Sequence, residues 1–326
     1  MLLAAKLRAL VAGGWEPGAG PAVESPFPGG ATLRRGSRGW VLGEDEPARL
    51  LGPAVAWAEG HGVADLHLVV PAEAGRLARR AALFTRPPSV WSVKGAAVVR
   101  ADPAPASAEA PLPPEVARFA PVLEAAGADV VVEGGVLRGE VLGLEVARVV
   151  VDGPGAARLE VGIGRHDREA QRALHGDDPP PSLLAGAVAV VRARRRPGEP
   201  SHPLNQLARE RWLRSVLVGR PELVGASSLT PAPASSSRDD LRRHSAAPAT
   251  GVDLDGRPLV VACSVGIDLD LVPAAADARL TDGRRARLLL ALPERDAHPV
   301  TRSLATLLAE PAEVVTVPDG WEGMAL

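Results

Sequence analysis

A carboxylate on the polar face of a buried strand is a place to hold a divalent cation, and Glu160 has that setting. In Leu159-Glu160-Val161-Gly162-Ile163 the period of a strand puts Leu159, Val161 and Ile163 on one face and Arg158, Glu160 and Gly162 on the other. The next helix opens at Arg165-His166-Asp167. Beside the cation reading stands a plainer one, in which Glu160 pairs with Arg158 or Arg148. Asp167 and Glu169 at the head of a helix suit the helix dipole, so capping accounts for Asp167 without catalysis.

Two further sets of residues could do chemistry. Arg192-Ala193-Arg194-Arg195-Arg196 is the densest basic run. With Arg209, Arg211 and Arg214 on the following helix it could form a phosphate-binding face, which makes Arg192, Arg194, Arg195 and Arg196 the candidate nucleic-acid contacts. The alternative is a solvated charge run. Near the C-terminus, ligands of a parallel α/β sheet would bind beyond the carboxyl ends of its strands. The segments leaving those ends gather Ser264, Asp268, Asp270, Glu294, Asp296 and His298, a set able to hold a cation or a polar ligand. Helix capping is the competing account, because Asp296 and His298 precede Pro299 as Ser201 and His202 precede Pro203. No glycine-rich phosphate loop is present, so a nucleotide site has no support from motifs.

The elements that must position these residues follow from periodicity. In the middle of the chain Glu115 to Ala126 reads as a helix ended by Gly127. Strands are expected over Asp129–Glu133, Val136–Leu142, Glu145–Val151 and Arg158–Ile163, with turns at Gly134-Gly135, Gly143-Leu144 and Asp152-Gly153-Pro154-Gly155. A helix starting near Pro203 carries the apolar stripe Leu204, Leu207, Trp212, Leu213, Val216 and Leu217.

On either side the pattern is strand, helix, strand, helix, strand. The first such unit has strands at 38–42, 65–70 and 89–93. Its helices span 47–60 and 71–84, the second basic on its outer face through Arg76, Arg79 and Arg80. The last unit has strands at 259–263, 287–292 and 313–317. Helices alternating with short apolar strands imply parallel pairing. Val90-Trp91-Ser92-Val93 matches Val314-Val315-Thr316-Val317 in character, which makes 38–95 and 258–319 a candidate internal repeat.

The order of the middle segment, residues 114–176, resembles that of the restriction-endonuclease-like superfamily, whose signature is an acidic residue followed later by Glu/Asp-x-Lys. The resemblance implies that Glu160 is the Glu of that motif and that Glu140 or Asp152 is the earlier acid. It implies catalytic residues Glu160, Glu140 and Asp152, and Mg²⁺ held by Glu160 and Asp152. Gly162 stands where the motif lysine belongs, and the chain has only Lys6 and Lys94. Arg165 stays protonated and cannot replace a base.

The fold class expected is therefore α/β, with two βαβαβ units flanking a restriction-endonuclease-like αβββα domain. The expected boundaries are an irregular arm at 1–30, an α/β unit at 31–100, a Pro/Ala linker at 101–113, the central domain at 114–226, a flexible linker at 227–250 and a second α/β unit at 251–326. Met1 to Ala12 reads as a short amphipathic helix.

Composition narrows the function classes. Apolar residues make up 46% of 326 residues and aromatics only 3%, so the core is built from Leu, Val and Ala. A net charge of −2 gives no global field for nucleic acid or an anionic membrane. Cys263 is the only cysteine, which excludes an intrachain disulfide and a cysteine-based zinc site. No run approaches the length of a membrane span. The expectation is a cytoplasmic protein with nucleic acid or another protein as partner. Its activity would be a Mg²⁺-dependent nuclease with degenerate or absent catalysis, a non-enzymatic scaffold or interaction protein, or a metal-dependent enzyme using Asp268, Asp270, Asp296 and His298.

Overall fold

A computed structural model of the chain describes residues 2–15, 20–106, 110–153, 155–196, 202–234, 241, 244–283 and 285–325. The chain opens with helix α1 (Leu2–Gly14) and strands β1 (Val23–Phe27), β2 (Gly30–Arg35) and β3 (Arg38–Gly43). Then come α2 (Leu51–Gly60), β4 (Asp65–Val70), α3 (Ala74–Ala81), β5 (Ser89–Lys94) and β6 (Ala97–Arg100). The middle holds α4 (Pro114–Ala117), α5 (Ala120–Ala125), β7 (Asp129–Glu133), β8 (Val136–Val141), β9 (Leu144–Val151) and β10 (Ala157–Val161). Helices α6 (Gly164–His175), α7 (Pro181–Arg194) and α8 (Arg209–Gly219) follow. The chain closes with β11 (Ala226–Pro231), β12 (Ala247–Asp253), β13 (Pro258–Cys263), α9 (Leu271–Asp282), β14 (Arg287–Pro293), α10 (Pro299–Thr306) and β15 (Glu313–Val317).

The architecture is mixed α/β with the described strands in three sheets. Two compact units divide the chain, and both are discontinuous. One comprises Met1–Ser107, Leu269–Thr281 and His298–Glu313; the other comprises Ala108–Asp268, Asp282–Ala297 and Val314–Leu326. The continuous boundaries expected from sequence do not coincide with this division, because α9 and α10 group with the first unit while the strands they connect group with the second.

In the first unit β1 to β6 form one sheet in sequence order. The β1–β2, β2–β3 and β5–β6 pairs are antiparallel; β3–β4 and β4–β5 are parallel, as connections through α2 and α3 require. Residues 23–27 and 30–35 are strands, which corrects the irregular arm expected up to residue 30. Pro26 disguised β1, and proline is tolerated there because β1 is an edge strand. Helix α1 is present as expected, and its Leu7, Leu10 and Val11 pack on Leu33, Trp40 and Leu42.

The basic face expected on α3 is also corrected. Arg80 is buried, and Asp277 on α9 takes both Arg79 (Nε–Oδ1 2.8 Å) and Arg80 (Nε–Oδ2 3.1 Å). Burial alone would raise the Asp277 carboxyl; the bond from Arg79 and the charge of Arg80 outweigh it and hold the group below its usual range. Past α3 and α10 the backbones bond reciprocally, Thr85 N to Leu307 O and Ala309 N to Leu83 O, each 2.9 Å.

In the second unit β7 to β10 form an antiparallel meander ordered β10-β9-β8-β7. The segment thus carries four strands before its closing helix, one more than the αβββα order calls for. The expected helix over 115–126 is two short helices, with Pro121 in the first turn of α5. Helices α4, α5 and α7 cover the apolar face of the meander, around Leu123, Leu137, Val149, Leu159, Leu184 and Val188.

The second sheet of this unit is ordered β11-β12-β13-β14-β15. Pairs β11–β12 and β12–β13 are antiparallel and β13–β14 is parallel, as in β1 to β4. Strands β11 and the start of β12 correct the flexible linker expected over 227–250; residues 235–240 and 242–243 lie outside the described residues. Cys263 is buried in β13, and burial pushes its thiol up to about 12, so it is inert packing.

Helix α8 begins later than expected. His202 caps a short turn at Pro203–Gln206 by accepting from Leu204 N (3.3 Å), and the helix starts at Arg209 after a left-handed Ala208. Its Glu210, Arg211, Trp212, Leu213, Arg214, Val216 and Leu217 are all buried. Trp212, Leu213 and Val216 pack with Ala249, Val261 and Trp321. The β8–β9 turn comes against the same helix through Gly143, where a Cβ would lie 2.2 Å from the carbonyl carbon of Arg211.

Gly143→Ala should therefore destabilise more than Gly135→Ala. Both residues have positive φ, 74° and 73°, but only the space beside Gly135 is open. Chemical unfolding should show a cost of about 1 kcal/mol for Gly135→Ala and a clearly larger one for Gly143→Ala. Equal costs would mean that the approach to α8 is not tight.

Candidate functional site

One face of the four-stranded sheet is apolar and the other is ionic. Register pairs Asp129 with Glu140, Val131 with Arg138, Arg138 with Arg148 and Arg148 with Glu160. Period two places Asp129, Glu133, Arg138, Glu140, Arg148, Arg158 and Glu160 on one face. Glu145 joins them because the β8–β9 register shifts between Gly139 and Glu140. Without that bulge Glu145 and Arg148 would point to opposite sides.

The centre of this ionic face is buried, while Asp129 is exposed and Arg148, Arg158 and Glu160 are half-buried. Glu133, Arg138, Glu140, Glu145, Arg211 and Arg214 are each at most 4% exposed. Helix α8 brings Arg211 and Arg214 down on it. Arg211 donates to Glu133 and to Glu140 Oε1 (2.8 Å), and Arg214 donates to Glu140 Oε2 (2.7 Å). Glu145 takes Arg138 (2.5 Å), Arg148 (2.6 Å) and Arg168 from α6 (3.0 Å). Glu160 pairs with Arg158 (2.6 Å) and lies 3.7 Å from Arg168. Arg158 also bonds Asp152.

The pKa directions report which force wins. Burial would raise Glu145, but the bond from Arg148 and the charges of Arg138 and Arg168 overcome it and hold the carboxyl below its usual range. Burial works against the charge of Arg211, and the carboxylates of Glu140, Glu133 and Glu145 reverse the effect and hold it above its usual range. Arg168 goes the other way: burial lowers it, and Glu145 only partly compensates. The Arg158 bond keeps exposed Asp152 low.

The residues expected to form the site meet different fates. Glu140 and Glu160 share a face but stand two strands apart, roughly 10 Å at the usual strand spacing, with Arg148 and Glu145 between them. Asp152 lies in the turn after β9 and meets Glu160 only through the guanidinium they share. Gly162 adopts φ 143°, and a Cβ there would lie 2.8 Å from Arg168 N at the head of α6. The position of the motif lysine thus excludes any side chain. Asp167 accepts from Ile163 N at 2.7 Å, the helix-capping role.

The basic run is divided as well. Arg195 is buried, stacks over Trp212 (4.8 Å) and donates to Leu142 O, Leu204 O and Leu207 O, so it is structural. Arg211 and Arg214 are buried ion-pair partners and present no phosphate face. Arg192, Arg194 and Arg196 are exposed.

Of the C-terminal set, Asp268 and Asp296 fall in the second unit and Asp270 and His298 in the first. Asp296 accepts from Gly266 N (2.7 Å), His298 caps α10 by accepting from Val300 N (3.2 Å), and Asp270 pairs with Arg80 (3.4 Å). Among the described residues no three His, Cys, Asp or Glu gather as a metal ion requires. No described helix is long and apolar enough to cross a membrane. Comparison with protein-family models, curated proteins and solved structures finds no match to this chain.

Sequence reasoning missed Glu133, Arg138 and Glu145. The signal was there in charged residues recurring every second position within Val-rich strands, facing a helix with Glu210, Arg211 and Arg214 and no wholly polar side. Arg211→Leu should cost about 3–5 kcal/mol in chemical unfolding, because it leaves buried Glu133 without its hydrogen-bond partner and Glu140 with Arg214 alone. Arg165→Ala, at an exposed pair with Glu169, should cost no more than about 0.5 kcal/mol. Similar costs for the two would mean that the buried network carries no stability.

Proposed function

We propose that this protein is a non-enzymatic binding protein, in which the nuclease-like strand of the middle segment serves as scaffold. The observation that carries this reading is the ion pairing of Glu140, Asp152 and Glu160: each carboxylate offered for Mg²⁺ is held by arginine. A cation at Glu160 would have to displace Arg158 and sit beside Arg168. Like charge and lost bonds oppose that exchange.

The position of Gly162 supports the same reading, since no base can stand there. The nucleic-acid reading has less support: Arg195 is structural, and only Arg192, Arg194 and Arg196 of the run face solvent.

We also infer that 38–95 and 258–319 are copies of one ancestral unit. The order β11 to β15 parallels β1 to β5. Leu83-Phe84-Thr85 and Leu307-Leu308-Ala309, both in the first unit, occupy the same place in the two copies.

Incubated with single- or double-stranded DNA or RNA in Mg²⁺ or Mn²⁺, the wild-type protein should leave the substrate intact, and Glu160→Gln should behave alike. Metal-dependent cleavage that disappears in Glu160→Gln would overturn the proposal. A second measurement addresses the nucleic-acid partner. Binding to a DNA duplex should be weak at physiological salt and should not change when Arg194→Glu is introduced. Tight binding with a steep salt dependence, lost in that variant, would restore the nucleic-acid reading.

A further inference from the structure

A cavity of about 850 Å³ lies within the second unit, between β7, the end of α7 and α8. Small-molecule sites span roughly 300–1,000 Å³. Val130, Leu142 and Val218 contribute an apolar wall, and Asp129, Glu140, Arg192, Arg196, Arg214 and Ser215 contribute polar groups.

These polar groups separate into committed and uncommitted ones. Glu140 and Arg214 neutralise each other at 2.7 Å. Asp129 accepts no hydrogen bond and forms no ion pair among the described residues. Its carboxyl lies above its usual range, chiefly through burial and then through the Glu140 carboxylate, with Arg214 and Arg192 opposing. Arg192 donates to Gly127 O (2.7 Å) and Arg196 to Arg192 O (3.4 Å), and neither meets a carboxylate at ion-pair distance among the described residues. Gly127 admits the first of these guanidiniums, since a Cβ there would lie 2.8 Å from Arg192 Nη2.

We propose that this cavity binds a small zwitterion, with its ammonium group on Asp129, its carboxylate or phosphate on Arg192 and Arg196, and its apolar body against Val130, Leu142 and Val218. Charge balance selects the class. A simple anion would be drawn to the guanidiniums but would share the cavity with Asp129 and the lining Glu124. A simple cation would satisfy Asp129 but face Arg192 and Arg196. A dipolar ligand satisfies both ends and brings an ammonium donor to Asp129, which is exposed and whose carboxylate bonds no other described residue. Among the described lining residues there is no aromatic side chain, which argues for an aliphatic body over a nucleobase. The inference goes beyond the non-catalytic reading above and does not depend on it.

Calorimetric titration of the full chain tests it, with a panel of free amino acids and phosphoethanolamine as probes and with sodium phosphate and ethylamine as single-charge controls. At least one zwitterion should bind at least about tenfold more tightly than either control. Preference between an amino acid and phosphoethanolamine identifies the anionic group.

Asp129→Asn and Arg192→Gln should each weaken binding by about ten- to a hundredfold while unfolding cooperatively. Asp129→Asn should be no less stable than the wild type at neutral pH: a raised carboxyl pKa disfavours the folded state once pH exceeds the unfolded value, and the substitution removes that penalty. Arg196→Gln, at an exposed position, gives an independent readout should a cavity-wall change unfold the protein. The proposal is overturned if no zwitterion binds up to millimolar concentration, if phosphate alone binds as tightly, or if binding survives both Asp129→Asn and Arg196→Gln.

Discussion

Helix α8 must bury both an apolar and a charged side at once, and the second unit is built to satisfy that demand. Trp212, Leu213 and Val216 meet the apolar cluster that includes Val261 and Trp321. Arg211 and Arg214 meet Glu133 and Glu140 across the four-stranded sheet. Removing an ion from water costs several kcal/mol, so each guanidinium needs a carboxylate in hydrogen-bonding geometry. That requirement sets which strand residues are charged, the bulge that turns Glu145 inward, and the glycine at 143 that lets the β8–β9 turn reach the helix.

The same constraint bears on chemistry. Carboxylates on the polar face of a sheet can hold a metal only while they remain available, and here arginines from β8, β9, β10, α6 and α8 have taken them. Glu145 alone receives three guanidiniums. Electrostatic compensation of this kind makes a stable interior and a poor cation site. Asp129, on the same ionic face, is exposed, has a carboxylate that bonds no other described residue and lines a cavity.

The first unit solves a related problem with a smaller network. Arg79 and Arg80 of α3 converge on Asp277 of α9, and the reciprocal bonds after α3 and α10 join two stretches that stand at matching places in the chain. The partners are nearly two hundred residues apart, so the two ends of the chain contribute to one unit.

Much of this was determined by the sequence alone. The strands expected at 38–42, 65–70, 89–93, 129–133, 259–263 and 287–292 were legible to within a residue at either end because their apolar runs lie between turn signals, and local backbone preference and burial agree there. The caps at His202 and His298 were legible because a cap needs only its own next residues. What the tertiary structure decided was partnership. Whether Glu160 is a ligand or an ion-pair member depends on Arg158 and Arg168, and whether Arg80 faces solvent depends on Asp277. Whether Arg195 waits for phosphate depends on Trp212 and three backbone carbonyls. A charge has the same identity in any sequence, but its role follows from the counter-charge brought to within a few ångströms, and long-range packing alone supplies that.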